Sequence, residues 1–317
     1  MSIKKVLLLC GGGSTEHDVS LVSVKHIQDC LKDIPSIVLT TVEINKSGDW
    51  TELNGSKFVL DPKKFDFVIP CIHGYPGETG DLQSYLEMIG LPYLGCNSET
   101  SKMCFNKVTT KLWATALGVP NTPYIFLSES TENTLKMAKD FCAIHGDVVV
   151  KASNQGSSVG CYLVEKDIDP TETIKKAFAL SPFVLLEKRL HPRELEVSFY
   201  EYNGNVQFSY PGEIICPSKF YSFEEKYSQQ SQTTTETKAH NLNKELVSRI
   251  TEYSAKLSVG LKLRHLSRID FFLDGNELYL NEINTFPGLT PISMFPKMME
   301  ANGHSFKEFL IQHINGY

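Results

Sequence analysis

The sequence has no long apolar run and no large excess of charge of either sign. No hydrophobic stretch approaches the roughly 18 to 20 residues that a membrane span needs, and the apolar run that ends at residues 10–11 is too short for a signal peptide. The 31 basic and 37 acidic residues give a net charge of −6, so no general field attracts nucleic acid. We therefore expect a cytoplasmic protein that binds neither a membrane nor nucleic acid.

A cysteine-pairing pattern is also absent. The eight cysteines show no Cys-x-x-Cys spacing and have mostly apolar neighbours. This favours buried free thiols in a reducing compartment over disulfides or a zinc site. The 317 residues, with 41% hydrophobic and 21% charged side chains, are enough for two or three packed subdomains.

The first part of the chain, residues 1–97, has the pattern of an α/β domain. Residues 6–9 form an apolar run typical of a buried parallel strand, and Leu21, Val24, Ile27 and Leu31 then recur at helical spacing. Further elements are predicted as strands at residues 37–42, 67–72 and 92–94, and as a helix at about 78–88.

Two further regions are predicted, residues 98–187 and 188–317. The second region opens with a helix at residues 102–117 and continues as an α+β layer with antiparallel strand pairs. A polar tract at residues 227–237 shows neither helical nor strand periodicity, which is typical of a long functional or disordered loop. The remaining predicted elements are strands at 124–127, 148–151, 161–164 and 183–187, helices near 134–145, 171–179 and 246–257, a hairpin at 269–283, and terminal helices.

A glycine-rich segment, Gly-Gly-Gly-Ser-Thr-Glu at residues 11–16, joins the first strand to the first helix. Such a junction can bind an anion, and Glu43 follows the second strand where a dinucleotide fold has its ribose-binding acid. However, Glu16 replaces the third glycine of the dinucleotide motif, and its charge would repel a pyrophosphate. We expect the Glu16 carboxylate to bind an ammonium group instead; the alternative is that it only favours the helix N-terminus.

A second loop, Asn-Gln-Gly-Ser-Ser-Val-Gly at residues 154–160, lies between two predicted strands. Its glycines and hydroxyls can fold backbone donors over phosphates, and Lys151 just before it can supply positive charge. It is not a P-loop, because no Lys-Ser/Thr pair follows the last glycine. A simple glycine-containing hairpin remains the alternative.

The strongest local signal is a predicted hairpin with polar residues on one face. Strand side chains alternate in direction, so Arg268 and Asp270 share a face, as do Glu282 and Asn284. A three-residue loop at 275–277 would pair Asp270 with Glu282 and Arg268 with Asn284, whereas a two-residue loop would move one set to the other face. The opposite face is predicted to be core: Ile269, Phe271, Leu273, Tyr279 and Ile283.

Two carboxylates and an amide oxygen that converge in this way form a site suited to Mg²⁺, completed by water and nucleotide phosphates. The alternative is a cross-strand ion pair at the surface without a metal. The segment Asn-Thr-Phe-Pro-Gly at residues 284–288 breaks the strand directly at the site, which favours the metal.

Five segments together resemble the D-alanine–D-alanine ligase family of the ATP-grasp superfamily, over nearly the whole chain. They occur in the family's order at residues 11–20, 73–78, 156–160, 268–270 and 282–288. The resemblance implies an α/β and α+β protein with an ATP-grasp fold and an N-terminal α/β, Rossmann-like domain. It also implies ligation of two D-alanines through a D-alanyl phosphate, for peptidoglycan synthesis, with ATP as co-substrate and a homodimer as the assembly.

The resemblance assigns roles to individual residues. It implies a triad that holds the first D-alanine, formed by Glu16, Ser157 and Tyr227. It implies stabilisers of the tetrahedral intermediate at Arg268 and Gly288, and further substrate contacts at His73, Ser293 and Met294. It implies ATP contacts at Lys107, Lys151, Lys188, Leu190, Glu194 and Lys226. Two Mg²⁺ ions, replaceable by Mn²⁺, would be held by Asp270, Glu282 and Asn284.

The sequence departs from the family's pattern at Thr79, where the family has Asp, and at Asn154-Gln155, where it often has Arg-Glu. These differences affect substrate loops and no residue with an assigned role. Tyr227 favours an amino acid over D-lactate as the second substrate; D-lactate and D-serine are the alternatives for this substrate. His73 is either catalytic or structural. An alternative of another class is a nucleotide-binding protein without turnover.

Overall fold

In the part of the chain that the structure describes, three β-sheets organise the fold, each formed by a consecutive segment. The computed structural model describes residues 2–216 and 233–317. Within these ranges, no helix is both long and apolar enough to cross a membrane.

The first sheet is the predicted α/β unit. Its strands are β1 (Lys4–Gly11), β2 (Ile37–Ile44), β3 (Trp50–Glu52) and β4 (Phe67–Pro70), in the order β3-β2-β1-β4. The apolar strand β1 lies parallel between β2 and β4, which confirms the predicted βα arrangement. Helix α1 (His17–Leu31) covers one face and α2 (Asp81–Met88) the other. The strand predicted at 92–94 is only a single bridge between Val68 and Tyr93.

The second sheet is antiparallel throughout, as predicted. Its strands are β5 (Tyr124–Leu127), β6 (Val148–Ala152), β7 (Cys161–Val164) and β8 (Val184–Lys188), in the order β5-β8-β6-β7. Two helices supply buried side chains to its core, α5 (Glu132–His145) and α6 (Thr171–Phe178). The glycine-serine segment at residues 154–160 connects β6 to β7.

The third sheet has the order β12-β11-β9-β13-β14, with β10 paired to β9. Its strands are β9 (Arg193–Tyr202), β10 (Asn205–Phe208), β11 (Gly212–Ile215), β12 (Thr234–Glu236), β13 (Leu266–Asp274) and β14 (Glu277–Asn284). Strand β12 lies in the tract predicted to lack strand structure, and it pairs with β11, since its threonines suit a pleated edge. Residues 227–232 of that tract lie outside the described residues.

The remaining α-helices of the described chain are α3 (Ser98–Phe105) and α4 (Lys107–Ala116), which precede β5, and α7 (Lys244–Gly260), α8 (Met294–Ala301) and α9 (Phe306–Asn315).

The prediction of one helix at 102–117 is wrong, because Asn106 interrupts it. The Asn106 side chain accepts hydrogen bonds from the backbone N–H of Val108 at 3.0 Å and of Thr109 at 3.2 Å, and so starts α4 as a new helix. Gly118, with φ of 70°, follows α4 as predicted.

The hairpin β13–β14 has the predicted pairs but not the predicted loop. Asp274 pairs with Glu277, so the turn has two residues, and Gly275 takes the positive φ of 60° that such turns require. The register shifts at a β-bulge between Asp270 and Phe271, where Asn281 is the extra residue.

This bulge restores the predicted site pairs, Asp270 with Glu282 and Arg268 with Asn284. On the tip side of the bulge, Leu278 and Leu280 are the buried residues. Tyr279 therefore lies opposite Phe272 rather than in the core, so its predicted position is wrong. The other predicted core residues are confirmed as buried: Ile269, Phe271, Leu273 and Ile283.

The cores connect the sheets to one another. The α1 side of the first sheet shares a cluster with Tyr200, Phe286 and Phe295 of the third region. Cys104 of α3 and Ala114 of α4 pack into the core of the third sheet. The domain limits 97/98 and 187/188 therefore remain a prediction, since α3 and α4 join a core beyond their predicted region. Four cysteines are buried thiols outside any disulfide, as predicted: Cys10, Cys71, Cys96 and Cys104.

Candidate active site

A cleft of about 310 Å³ brings most of the predicted nucleotide residues together. It runs between the second sheet and the third. Predicted residues in its lining are Lys107, Lys151, Lys188, Leu190, Glu194 and Glu282. Apolar walls come from Val149, Leu190, Ile214 and Phe272. Lys226 lies outside the described residues.

A buried carboxylate between two lysines forms one wall of this cleft. The Glu187 side chain is 3% exposed; it pairs with Lys111 at 2.5 Å and with Lys151. Burial alone would raise the pKa of the Glu187 carboxyl, but the two ammonium groups lower it to about 2. Lys151 thus enters the cleft as a fully charged group whose position is fixed by an ion pair.

Lys107 links the cleft to the serine loop, residues 154–160 between β6 and β7, and to the hairpin β13–β14. Its Nζ donates to the carbonyl oxygen of Gln155 at 2.8 Å and pairs with Glu282 Oε2 at 3.1 Å. Burial alone would lower the pKa of Lys107, but the Glu282 carboxylate dominates and raises it. The Lys107 ammonium group is therefore held between the serine loop and the hairpin. A phosphate group that entered the cleft at this point would meet it.

Arg268 lies at the centre of the polar face of the hairpin. Its Nε and one terminal nitrogen donate to the two oxygens of Asp270, both at 2.8 Å, and Nε also lies 3.2 Å from Glu196. The Asn284 amide donates to Asp270 at 3.0 Å. Burial alone would lower the pKa of the guanidinium, but Asp270 and Glu196 raise it well above its ordinary value, so Arg268 is a fixed positive charge.

These side chains fit a Mg²⁺ site only in part. Asp270, Glu282 and Asn284 supply hard oxygen atoms on paired strands, as Mg²⁺ requires. No cluster of three acidic, His or Cys side chains within residues 2–216 and 233–317 would hold a metal by itself. The donor set therefore suits an ion that takes its remaining ligands from phosphate and water. Such an ion would compete with Arg268 for the oxygens of Asp270.

The two glycine-rich loops meet at a second cavity of about 790 Å³. A Glu16 carboxylate oxygen lies 3.5 Å from where a Cβ on Gly156 would be. Ser14 holds the first loop in place, because its hydroxyl donates to the carbonyl of His73 at 2.6 Å and accepts from Glu16 N–H at 3.1 Å. The loops expected to hold one substrate are thus adjacent.

Ser157 and Ser158 take left-handed backbone angles, with φ of 49° and 61°, at the tip of the serine loop. The third member of the implied triad, Tyr227, lies outside the described residues. The predicted proximity of Glu16 to the serine loop is seen, and the complete triad stays a prediction.

Two alternative interpretations of the first loop lose support. Glu43 lies 3.2 Å from His17 Nε2, so the acid that a dinucleotide fold would use for ribose has a partner within the protein. Glu16 begins helix α1 but makes no side-chain hydrogen bond to cap it. The ammonium-binding role of this carboxylate stays a prediction.

His73 is buried and both of its ring nitrogens have partners. Nε2 lies 3.1 Å from the Ser23 hydroxyl, and Nδ1 lies 3.3 Å from the carbonyl oxygen of Phe286. Burial lowers the pKa of His73, so the ring is neutral at pH 7. This environment favours the structural alternative, in which His73 joins the first loop region to the segment after β14.

The end of the site is formed by the segment after β14 and the start of α8. A Cβ on Gly288 would lie 2.9 Å from Ser293 Oγ, so a larger residue here would have to displace that hydroxyl. The Ser293 hydroxyl accepts a hydrogen bond from Thr290 N–H at 3.1 Å and lies 2.7 Å from the Thr290 hydroxyl. Ser293 is the residue directly before the first turn of α8. The Met294 side chain is buried against Ile214 and Met298, which leaves its backbone as the group available to a substrate.

Comparisons with known proteins agree with this geometry. A family model described as "D-ala D-ala ligase C-terminus" matches residues 112–315. A D-alanine–D-alanine ligase from Shewanella sediminis is 50% identical over 329 residues, covering 99% of this chain and 98% of the relative. One from Vibrio atlanticus is 51% identical and covers 98% of this chain and 97% of the relative. The chain belongs to the D-alanine–D-alanine ligase family.

Solved structures extend the comparison. A D-alanyl-alanine synthetase A from Vibrio cholerae has a TM-score of 0.94 at 50% identity, covering 100% of this chain and 98% of that one. A D-Ala:D-Ser ligase from Enterococcus faecalis has a TM-score of 0.87 at 25% identity, covering 99% of each chain. The D-alanine–D-alanine ligase family has the ATP-grasp fold, and the predicted fold class is confirmed.

In this member of the D-alanine–D-alanine ligase family, sequence reasoning overlooked several buried polar groups at the site. Glu187 follows the apolar residues of β8, and Lys111 lies on the buried face of α4. The available signal was a charged residue within an otherwise apolar pattern at each position. The sequence did not indicate that Lys111 and Glu187, which are far apart along the chain, form a pair. Glu196, whose carboxylate lies 3.2 Å from Arg268 Nε, was missed for the same reason.

Proposed function

We propose that this chain joins two D-alanines into D-alanyl-D-alanine for peptidoglycan synthesis, at the expense of ATP. The first carboxylate is activated as an acyl phosphate, and the amine of the second D-alanine then attacks it. The observation that carries the proposal is the cleft, where Lys107, Lys151 and Glu282 meet and where the Glu282 carboxylate acts on Arg268. The chain is 50% identical to such a ligase over 99% of its length.

The charge of the cleft suits phosphoryl transfer to a carboxylate. That step brings several negative oxygens together, so fixed cations are needed to offset them. Lys107 and Lys151 are both held by carboxylates and both retain their charge. We assign the ATP phosphates to these two lysines, with Lys188, Leu190 and Glu194 along the nucleoside.

Arg268 suits the second step. An amine attacking the acyl phosphate forms a tetrahedral centre with a developing oxyanion, which a preorganised donor stabilises. We assign that donor role to Arg268, together with the backbone of Gly288. We assign the first D-alanine's ammonium to Glu16 beside Ser157, and the second substrate's carboxylate to Ser293 and the backbone at the start of α8, where a helix N-terminus favours an anion.

We assign Mg²⁺ to Asp270, Glu282 and Asn284, where it would neutralise charge on the nucleotide phosphates when bound. The residues of the chain then orient the phosphates and exclude water from the acyl phosphate. We further propose that the protein works in the cytoplasm as a homodimer, which sedimentation of the purified protein would test.

D-Alanine is the preferred second substrate in this proposal. The fold alone does not decide, because the D-Ala:D-Ser ligase shares it with a TM-score of 0.87. The two relatives described above, each about 50% identical to this chain, are D-alanine–D-alanine ligases, which favours D-alanine over D-serine or D-lactate. The retained arginine, lysines and carboxylates argue against a nucleotide-binding protein without turnover.

The test uses the purified chain with ATP, Mg²⁺ and D-alanine. We expect release of phosphate and D-alanyl-D-alanine that depends on D-alanine. Glu282→Gln should lower the rate at least about 100-fold, because it removes a metal ligand and the partner of Lys107. Glu277→Gln, an exposed change at the turn end of the same strand, is the matched control and should retain full activity.

Turnover that requires added D-serine or D-lactate would replace the second substrate in this proposal. Full activity of the Glu282→Gln variant would remove the metal assignment.

A further inference from the structure

One buried hydroxyl in the cleft is not explained by the protein's own contacts. Thr122 lines the cleft and is 2% exposed. Among the residues that the structure describes, its Oγ1 has no hydrogen-bond partner. A buried polar group without a partner is unfavourable, so native proteins rarely keep one unless a water or a ligand completes it.

The backbone around Thr122 is held on both sides. The Pro120 carbonyl accepts a hydrogen bond from Leu280 N–H at 2.8 Å, and the Pro123 carbonyl accepts one from Lys188 N–H at 2.9 Å. The segment is thereby fixed to β14 on one side and to β8 on the other. These two bonds hold the backbone at Thr122 in place, so its hydroxyl is presented to the cleft from a fixed segment.

The surroundings indicate which part of a nucleotide this hydroxyl meets. The proposed function places the phosphates at Lys107 and Lys151, whereas the segment of Thr122 is anchored to Lys188 at the end of β8, which is assigned to the nucleoside. The apolar side chains in the same cleft, Val149, Leu190, Ile214 and Phe272, suit the faces of a flat aromatic ring. A hydroxyl that both donates and accepts suits the polar edge of such a ring.

We propose that Thr122 binds the nucleobase of ATP through its hydroxyl and contributes to nucleotide specificity. This inference rests on the proposed function, since it takes the cleft as the ATP site. It predicts opposite changes in two properties. Loss of the hydroxyl should weaken nucleotide binding, and it should leave the ligand-free protein at least as stable, because no contact within the protein is lost.

The test is Thr122→Val, which keeps the shape of the side chain. Equilibrium binding is measured by calorimetry with Mg²⁺ and without D-alanine, so that no turnover occurs. We expect the Kd for ATP to rise about 3- to 10-fold. The Kd for inorganic tripolyphosphate, which has no base, should stay within about twofold, and Thr122→Ser should bind ATP nearly as the original protein does.

Thr100→Val is the matched control. The Thr100 hydroxyl is also buried, but it donates to the carbonyl of Leu261 at 2.8 Å and lies away from the cleft lining. This change should lower Tm and leave the Kd for ATP unaltered, whereas Thr122→Val should keep Tm or raise it.

Three results would overturn the inference. An unchanged Kd for ATP in Thr122→Val would mean that the base does not contact the hydroxyl. An equal rise in Kd for ATP and for tripolyphosphate would indicate a general distortion of the cleft, and a lower Tm would indicate a partner within the protein. Failure of the unaltered chain to bind ATP would instead contradict the proposed function.

Discussion

Two buried carboxylates near the site have opposite electrostatic environments. Glu187 lies between Lys111 and Lys151, and its pKa is lowered to about 2. Glu78 is 9% exposed, and its carboxylate accepts a hydrogen bond from Gly74 N–H at 2.8 Å. Burial, followed by the nearby Glu16 carboxylate, raises the pKa of Glu78 to about 8.

The difference shows that burial alone does not determine the charge of an acid. A carboxylate with two cations stays ionised and fixes them in turn, which suits a cleft that must receive phosphates. A carboxyl group held mainly by backbone N–H groups beside another acid binds a proton near pH 7. Glu187 thus organises charge, whereas Glu78 organises the backbone of the loop after His73.

The largest expected effect comes from Glu187→Gln. This change leaves the ammonium groups of Lys111 and Lys151 buried without their counter-ion. We expect the free energy of unfolding to fall by about 3–5 kcal/mol, measured by urea denaturation at pH 7.

The control is Glu172→Gln, which removes the partner of Lys175 in a pair that is exposed on both sides. Its effect should stay below about 0.5 kcal/mol. If the two variants unfold at similar urea concentrations, the ion pairs of Glu187 are not a major source of stability.

An intermediate effect is expected for Lys111→Met. The unbranched side chain fills a similar volume, and Glu187 keeps Lys151 as a partner. We expect a loss of about 1–3 kcal/mol in the free energy of unfolding. A loss as large as that of Glu187→Gln would mean that Lys151 does not compensate.

A further effect concerns the pH dependence of stability and Glu78. Because its pKa is raised from 4.5 to about 8, the folded protein holds a proton that the unfolded chain releases. Its contribution to stability is therefore complete below about pH 4.5 and decreases as the pH rises towards 8.

Glu78→Gln removes this titration. Between pH 5 and 8 the unaltered protein should lose at least about 1 kcal/mol relative to the variant. Parallel stability curves for the two proteins across this range would contradict the raised pKa.

The sequence predicted the elements that carry local patterns and missed the contacts between distant ones. Apolar runs and helical spacing were sufficient for β1, α1 and the antiparallel second sheet. Asn106 was overlooked as a cap because the residues around it continue a helical pattern. The pair of Lys111 and Glu187 depends on how α4 packs against β8, which no local spacing records.

The hairpin was predicted correctly at the site for an incorrect reason. The pairing of Asp270 with Glu282 was derived from a three-residue turn. The turn has two residues, and the bulge at Asn281 supplies the missing shift. A bulge has little sequence signal, because it is set by what each half of the strand packs against.

The extra residue Asn281 changes which positions of strand β14 face the core. Towards the turn, the even-numbered Leu278 and Leu280 face the core, whereas beyond Asn281 the odd-numbered Ile283 does so. The core-facing positions are therefore even-numbered at the turn end of β14 and odd-numbered at the end that carries the site. Deleting Asn281 alone would keep Leu280 opposite Phe271 and Glu282 opposite Asp270. The hairpin would then lose one side chain that lines the cleft, and its core-facing and site-facing residues would stay on their present faces.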